Sequence, residues 1–261
     1  MNERAVLAAF DEQVRRRPEL GDPGARVERD GDVIRLLSDW WTGVVWSRPD
    51  AASADRVIAE QIDRFAQAAT PWEWKHYSHD TPADMPARLL AAGFTPEPDE
   101  AVLVAEIAGL LLDVPPPAGV ELRAVVDEHD VDALLCVYEE VFGEDHSALR
   151  DILLAGLARS PSTVAAVLAV AGDVPIAGGR LEFHAGSEFA SFWGDGTLPA
   201  WRGRGIYRAI VAYRANLAAT RGFRYLQVDA SDDSRPILER LGFVPVTTTT
   251  PFIWSPPTRP R

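Results

Sequence analysis

The chain has 261 residues, 47% of them apolar, and a formal net charge of −13. That length provides one large or two small domains with a substantial core, and the acidic balance argues against nonspecific nucleic-acid binding and against anionic membranes. No apolar run reaches the length of a membrane span, the start Met1-Asn2-Glu3-Arg4 lacks a signal-peptide layout, and the single cysteine, Cys136, excludes an intrachain disulfide. The expectation is a cytoplasmic protein without a membrane partner, with Cys136 a buried, inert thiol among Leu134, Leu135 and Val137.

In the first half, residues 46–53 read as a loop before an amphipathic helix over 54–69. Residues 72–77 alternate as a strand. The stretch 80–84 starts a helix that continues over 85–92 and ends at Gly93-Phe94, and 101–107 is a further strand. Trp40, Trp41, Trp46, Trp72 and Trp74 build core or an apolar contact surface. The stiff run Pro115-Pro116-Pro117 predicts a domain boundary, with one domain over 1–115 and a second over 116–261. After it come a strand at 120–125, helices at 130–142 and 148–157, and strands at 163–170 and 174–183 around the turn Gly172-Asp173. A strand over 188–198 leads into Trp201-Arg202-Gly203-Arg204-Gly205-Ile206-Tyr207-Arg208. A helix follows over 206–221, with Ile210, Val211, Leu217 and Ala218 inward, Arg208, Arg214 and Arg221 outward, and Gly222 as its stop. The chain closes with a strand at 223–230, a short helix at 234–241 and a last extended segment from Phe243.

The loop at 202–205 carries the chemistry. A glycine-containing turn at a helix start leaves backbone N–H groups unpaired at the positive end of the helix dipole, which makes a cradle for phosphate. Gly203 and Gly205 permit close approach, and Arg202, Arg204 and Arg208 add positive charge. The nucleotide P-loop ending Gly-Lys-Ser/Thr is absent, and the three-glycine dinucleotide fingerprint is not met.

The loop instead resembles the coenzyme A loop of the GNAT acyltransferase superfamily, Arg/Gln-x-x-Gly-x-Gly/Ala, through Arg202, Gly203, Arg204, Gly205 and Ile206. Tyr207 departs, since that position is usually small. The segment Leu238-Glu239-Arg240-Leu241-Gly242-Phe243 is similar to the family's Tyr-x-x-Leu-Gly-Phe. The resemblance covers about residues 121–254. The parallel order of strand, acidic cap, helix, Gly-Phe and strand in the first half resembles a tandem GNAT chain with a degenerate N-terminal copy; an unrelated α/β cap is the other reading. The implied fold class is α/β (α+β): two GNAT-like domains, each a mixed, mostly antiparallel twisted sheet flanked by helices. No coenzyme is expected in the first half, where the loop 46–53 has no glycine, Pro49 lacks a donor and Asp50 repels phosphate.

The resemblance implies acetyl-CoA as co-substrate, an N-acetyltransferase reaction, and a small-molecule or peptide amine as acceptor. It assigns pantetheine contacts to the backbone of Thr197 and Leu198, pyrophosphate contacts to the loop through Tyr207, and a coenzyme contact to Ser231. The family's usual acid, a tyrosine, is replaced by Leu238, so Ser234 one turn earlier is the candidate on the thiolate side or a plain helix-start serine. The family's strand glutamate is replaced by Ser191. Asp195, on the same face by two-residue alternation, is then the candidate base or the turn-former of Gly194-Asp195-Gly196. Glu139, Glu140, His146, Glu182 and His184 are weaker candidates, and the five histidines lack metal-ligand spacing. A catalytically inactive coenzyme-binding protein with a regulatory or partner-binding role is the alternative, and the first half is available for an acceptor wall or a homodimer contact.

Overall fold

The computed structural model describes residues 1–18, 24–38, 41–66, 70–143 and 145–256. Helix α1 (Glu3–Phe10) runs into a π-helical turn at Asp11–Arg15. Strands β1 (Arg26–Asp30), β2 (Val33–Leu37) and β3 (Thr42–Ser47) follow, then α2 (Ala54–Phe65), β4 (Trp72–Tyr77), α3 (Met85–Ala91), β5 (Thr95–Pro96) and β6 (Glu100–Glu106). Past the proline run come β7 (Glu121–Ala124), α4 (Glu128–Phe142), α5 (Ala148–Ala158), β8 (Val164–Ala171), β9 (Val174–Phe183) and β10 (Phe189–Thr197). The chain continues through α6 (Ile206–Thr220), β11 (Tyr225–Ala230), α7 (Arg235–Arg240) and β12 (Val244–Trp254). The expected elements from residue 72 onward lie within a few residues of these. The tail of the first expected helix, 67–69, and Trp40 lie outside the described residues.

The strands form one sheet in the order β1-β2-β3-β4-β12-β6-β11-β10-β9-β8-β7, with β5 on β12. Two neighbours are parallel, β3 with β4 and β10 with β11; the other pairs are antiparallel. The succession β2-β3-α2-β4-α3-β6 is repeated as β9-β10-α6-β11-α7-β12. Each half's final strand lies beside the other half's penultimate strand: β12 pairs with β4, β6 pairs with β11, and β6 and β12 pair with each other. One sheet thus carries residues from both sides of Pro115–Pro117.

Side-chain alternation sends the two faces of the sheet to different helices. Val167 and Ala169 of β8 pack with Ile206 and Ile210 of α6, while Ala166 and Leu168 pack with Leu134, Tyr138 and Leu153 of α4 and α5. Near the seam, Leu103, Leu226 and Val228 meet Val211, Ala215 and Leu238 on the α6–α7 face. Val102, Val104, Phe189 and Tyr225 meet Val6 and Phe10 of α1 on the other. Trp72 and Trp74 are core residues beneath α2 and α3.

Two expected burials are reversed. Arg214 is 0% exposed, because the buried stripe of α6 runs through 210, 211, 214, 215 and 218 at helical spacing. Cys136 is exposed, because α4 turns 131, 134, 135 and 138 inward and leaves 136 on its outer side. Among the described residues, no helix is long and apolar enough to cross a membrane, and no cluster of three or more His, Cys, Asp or Glu is arranged to hold a metal ion.

Candidate active site where two strands part

The loop before α6 is held open by its glycines. Gly203 has φ +74° and Gly205 has φ +86°, a region that L side chains enter at a cost. A Cβ at either position would meet nothing within 4 Å, so both positions face open space. The first helical bond of α6 in this region runs from Ala209 N–H to the Gly205 carbonyl. Among the described residues, the N–H groups of Gly203 through Arg208 therefore have no protein acceptor. Arg202 donates from Nε to the Thr197 carbonyl at 3.0 Å and Arg204 donates to the Ala200 carbonyl at 3.0 Å; both, with Arg208, are exposed. Ile206 is buried against β8 and β9. In the first half the matching helix start is closed by its own chain. Asp50 accepts from Ser53 N–H at 2.7 Å through its carboxylate and from Ala54 N–H at 3.0 Å through its carbonyl.

Beside the loop the sheet splits. β10 pairs with β11 only over Phe189–Ser191 against Tyr225–Gln227; beyond that point β11 continues with β6 and β10 with β9. Leu198 donates its N–H to Ile176 at 2.9 Å, and its carbonyl accepts from Trp201 N–H at 2.8 Å. Both its backbone groups are engaged. By antiparallel alternation the N–H and C=O of Thr197 point to the open side of the fork.

A bulge lies between Trp193 and Gly196, with Gly194 at φ +63°. It breaks the alternation that would have put Asp195 on the face of Ser191. Asp195 instead faces α6, where its carboxylate lies 2.5 Å from Arg214 and accepts from the Tyr207 hydroxyl at 3.2 Å. Burial holds the Asp195 carboxyl above its ordinary value despite Arg214, and burial together with this carboxylate raises Tyr207 well above the usual tyrosine range. Arg214 also donates to the Arg180 carbonyl at 2.8 Å and stacks over Phe192 at 4.0 Å. Asp195→Asn is expected to destabilise the protein by about 3–5 kcal/mol, the cost of leaving a buried charge unpaired. The double variant Asp195→Asn/Arg214→Met recovers most of that loss. Urea unfolding measures both, and a single-variant loss below about 1 kcal/mol, the value of an exposed pair, would refute the buried-pair role.

On the opposite face a cavity of about 180 Å³ opens at the crotch of the fork, between α1, its π-helical turn, α5 and strands β4, β9, β10 and β11. Phe10, Ile152, Leu153 and Trp193 supply apolar wall. Its floor is a continuous hydrogen-bonded chain. Lys75 Nζ donates to Asp229 Oδ2 at 2.6 Å, and Gln227 Nε2 donates to Asp229 Oδ1 at 2.6 Å. The Ser191 hydroxyl lies 2.7 Å from Gln227 Oε1 and 2.7 Å from His184 Nε2. Burial lowers the pKa of His184, which keeps the ring neutral at neutral pH. Burial disfavours the charge on Lys75, yet Asp229 reverses this and raises it. Burial pushes the Tyr77 phenol up to about 12, and burial also raises Glu73 and Glu100 nearby. Arg15 closes one side, bonded to Asp11 and Asp80 at 2.7 and 2.9 Å and stacked on Tyr77 at 3.7 Å.

Of the residues expected from sequence, Thr197 and the loop 202–206 lie together at the open end of the fork. Tyr207 turns inward, and Asp195 is on the far face from the cavity. Ser231 is exposed just past the end of β11, its carbonyl accepting from Ser234 and Arg235 N–H. Ser234 precedes α7, its hydroxyl 3.3 Å from that of Ser231, and Leu238 is fully buried core. Neither Ser234 nor Asp195 lines the cavity. The sequence alone does not mark Lys75, Gln227, Asp229 and Arg214 as site or core residues. The even spacing Tyr225-Gln227-Asp229 on an otherwise apolar strand was the available signal for two of them.

No protein-family model matches this sequence, and no curated protein matches it. Solved structures do. A GCN5-related N-acetyltransferase from Kribbella flavida superposes with a TM-score of 0.73 at 20% identity, over 96% of this chain and 95% of that one. A conserved protein of unknown function from Staphylococcus epidermidis gives 0.69 at 12% identity, over 95% and 100%. A tandem GNAT protein from the clavulanic acid biosynthesis pathway gives 0.60 at 14% identity, over 89% and 83%.

Proposed function

The chain has the GNAT fold, in a form that superposes along nearly its whole length on other proteins of that fold; from that premise we propose that its second half binds acetyl-CoA and transfers the acetyl group to a primary amine. The observation that carries this reading is the row of N–H groups from Gly203 to Arg208 without an acceptor among the described residues, beside a fork whose crotch opens into a cavity. Backbone donors and three arginines suit a pyrophosphate. The Thr197 N–H on the open side of the fork suits an amide carbonyl of a pantetheine arm, while its own carbonyl is held by Arg202. The cavity takes the amine.

In this mechanism the loop and fork hold the thioester, and the apolar wall excludes water and positions the acceptor. An amine attacks only when neutral. The Ser191 hydroxyl donates to Gln227 Oε1 at 2.7 Å and lies 2.7 Å from His184 Nε2, which accepts only in its Nδ1–H tautomer. In that tautomer the hydroxyl can turn from Gln227 to the neutral imidazole and pass its own proton there while receiving one from the amine. The same proton returns to the departing thiolate, so one pair serves as base and then acid. This suits a chain in which the position of the family's tyrosine acid is the buried Leu238. The role of Asp195 is to hold Arg214 and Tyr207 beneath the bulge. The first half contributes α1 and Lys75 to the acceptor wall and no second coenzyme site, since Asp50 already occupies the donors at the start of α2.

Isothermal titration with acetyl-CoA tests the reading. One site per chain is expected, followed by thiol release in an amine screen. No binding by folded protein refutes it. The absence of a carboxylate at position 191 and of a tyrosine at 238 favours one second reading, a coenzyme-binding protein without turnover, for which binding occurs and no amine releases thiol.

A further inference from the structure

Lys75 is the single lysine of the chain; the other basic side chains counted with it are arginines. Its side chain ends inside the cavity. Nζ is 2.6 Å from Asp229 Oδ2 and 5.5 Å from the centre of the Trp193 ring. Trp193 lies two residues beyond Ser191, the last residue of β10 paired with β11. Asp229 lies two residues beyond Gln227, the last residue of β11 so paired. Nζ therefore sits between the arms of the fork, one step past the crotch, on the face where an acceptor amine would stand. The chain carries an amine of its own in that place.

Its reactivity is decided by protonation, because an ammonium has no lone pair to attack with. The groups facing it are Asp229 on β11, Glu73 and Tyr77 on its own strand, and Glu100 on β6, beyond Asp229. Asp229 alone is within hydrogen-bonding distance. Burial by itself would favour the neutral amine, and the Asp229 carboxylate overrides it.

We propose that Lys75 is a self-acylation site guarded by Asp229: when the ion pair opens, the acyl group of the bound thioester passes to Lys75 Nζ. The inference rests on the acetyl-CoA reading. In the step, the ammonium first loses a proton to water. The neutral nitrogen then attacks the thioester carbonyl, a C–N bond forms and the C–S bond breaks. The thiolate leaves and takes up the second proton shed by nitrogen. The balance is one acetyl-lysine, one coenzyme A thiol and one proton released. The added acetyl group fills part of a cavity of about 180 Å³ and removes the positive charge beside Asp229, so the modified chain has a smaller acceptor space.

The test uses the full chain incubated with acetyl-CoA and read by intact mass and peptide mapping, with coenzyme binding measured in parallel by titration. Arginine is not acylated by thioesters, so internal modification of amines can map to Lys75 alone. Asp229→Asn keeps the shape and most of the hydrogen bonds and removes the charge. It is expected to gain one acetyl group on Lys75 at least about tenfold faster than wild type, since each unit of lowered pKa makes the neutral amine tenfold more abundant. Asp229→Asn/Lys75→Arg gains none, and Asp229→Asn/Gly205→Glu gains none because the coenzyme is not held. Asp229→Asn protein that binds acetyl-CoA without modification overturns the proposal, as does modification at an unchanged rate in the Gly205→Glu background, which is uncatalysed chemistry. If Asp229→Asn does not fold, prolonged incubation of wild type takes its place. Slow acetylation of Lys75 that depends on Gly205 supports the proposal, and its absence overturns it. Wild-type protein that does not bind acetyl-CoA at all removes the functional reading itself, a distinct result.

Discussion

Gly205→Glu is expected to abolish acetyl-CoA binding while leaving the protein folded. Gly205 is the N-cap of α6 with φ +86°, and a Cβ there enters open space. The Cβ of the new residue therefore clashes with no protein atom, and its carboxylate lies on the loop assigned to the phosphate. Its carboxylate stands where a phosphate must stand, beside the N–H groups of 203–208, and competes with it for the same donors. Charge-assisted hydrogen bonds are worth about 1.5–3 kcal/mol each, and about 1.4 kcal/mol is a factor of ten. Loss of two such bonds already weakens binding by at least about 100-fold. The left-handed backbone adds a folding cost of about 1–2 kcal/mol. Gly31→Glu is the matched control, because Gly31 has φ +54° at the β1–β2 turn, a Cβ there is equally unobstructed, and it lies outside the loop. Both variants lose similar stability in urea, and only Gly205→Glu loses binding by titration. Wild-type affinity in Gly205→Glu would overturn the loop assignment.

The loop was legible in the sequence because its chemistry is local. Glycine spacing, an arginine run and the helix that follows lie within one short segment, and backbone conformation follows from residue type. The second-half strands and helices were legible for the same reason, through periodicity and glycine stops. The strands before residue 47 were not. β1 is Arg-Val-Glu-Arg-Asp with no buried residue, so it carries no apolar alternation. The signal that could have found it is the two-residue turn Gly31-Asp32 between paired Asp30 and Val33. Two-residue alternation puts Asp195 on the wrong face because it assumes an unbroken strand, and the glycines at 194 and 196 that permit the bulge suit a turn equally well. Charge points Arg214 outward although its position lies in the buried stripe, and its partner lies 19 residues earlier on a strand. The cavity floor was beyond reach for a different reason. Lys75 and Asp229 are 154 residues apart, and their contact depends on which strands share the centre of the sheet.

That same strand arrangement carries the second large prediction. A fragment of residues 116–261 is expected not to fold alone, although it contains the whole loop and α6. Without β6, the strands β11 and β12 lose the partner that joins them. On one face Leu226, Val228, Leu238 and Phe243 lose Ala101, Leu103 and Ala105. On the other, Phe189 and Tyr225 lose Phe10, Tyr77, Val102 and Val104. Exposing a fully buried large apolar side chain costs about 1.5–3 kcal/mol, so full exposure of these six would cost about 9–18 kcal/mol, and even partial exposure takes up much of the roughly 5–15 kcal/mol by which a domain is stable. Asp229 also loses Lys75 and is left as a buried carboxylate without its cation. One rearrangement competes: β12 could close onto β11 and restore a smaller sheet, but its residues 249–254 are registered against β4, and that half of the strand would remain an unpaired apolar edge. Circular dichroism and thermal melting decide between these. No cooperative transition is expected for 116–261, and co-expression with residues 1–115 restores both the transition and acetyl-CoA binding. A cooperative melt of the fragment alone would mean that the second half completes its own sheet, and that β6 is an addition to it where the present register makes it a member.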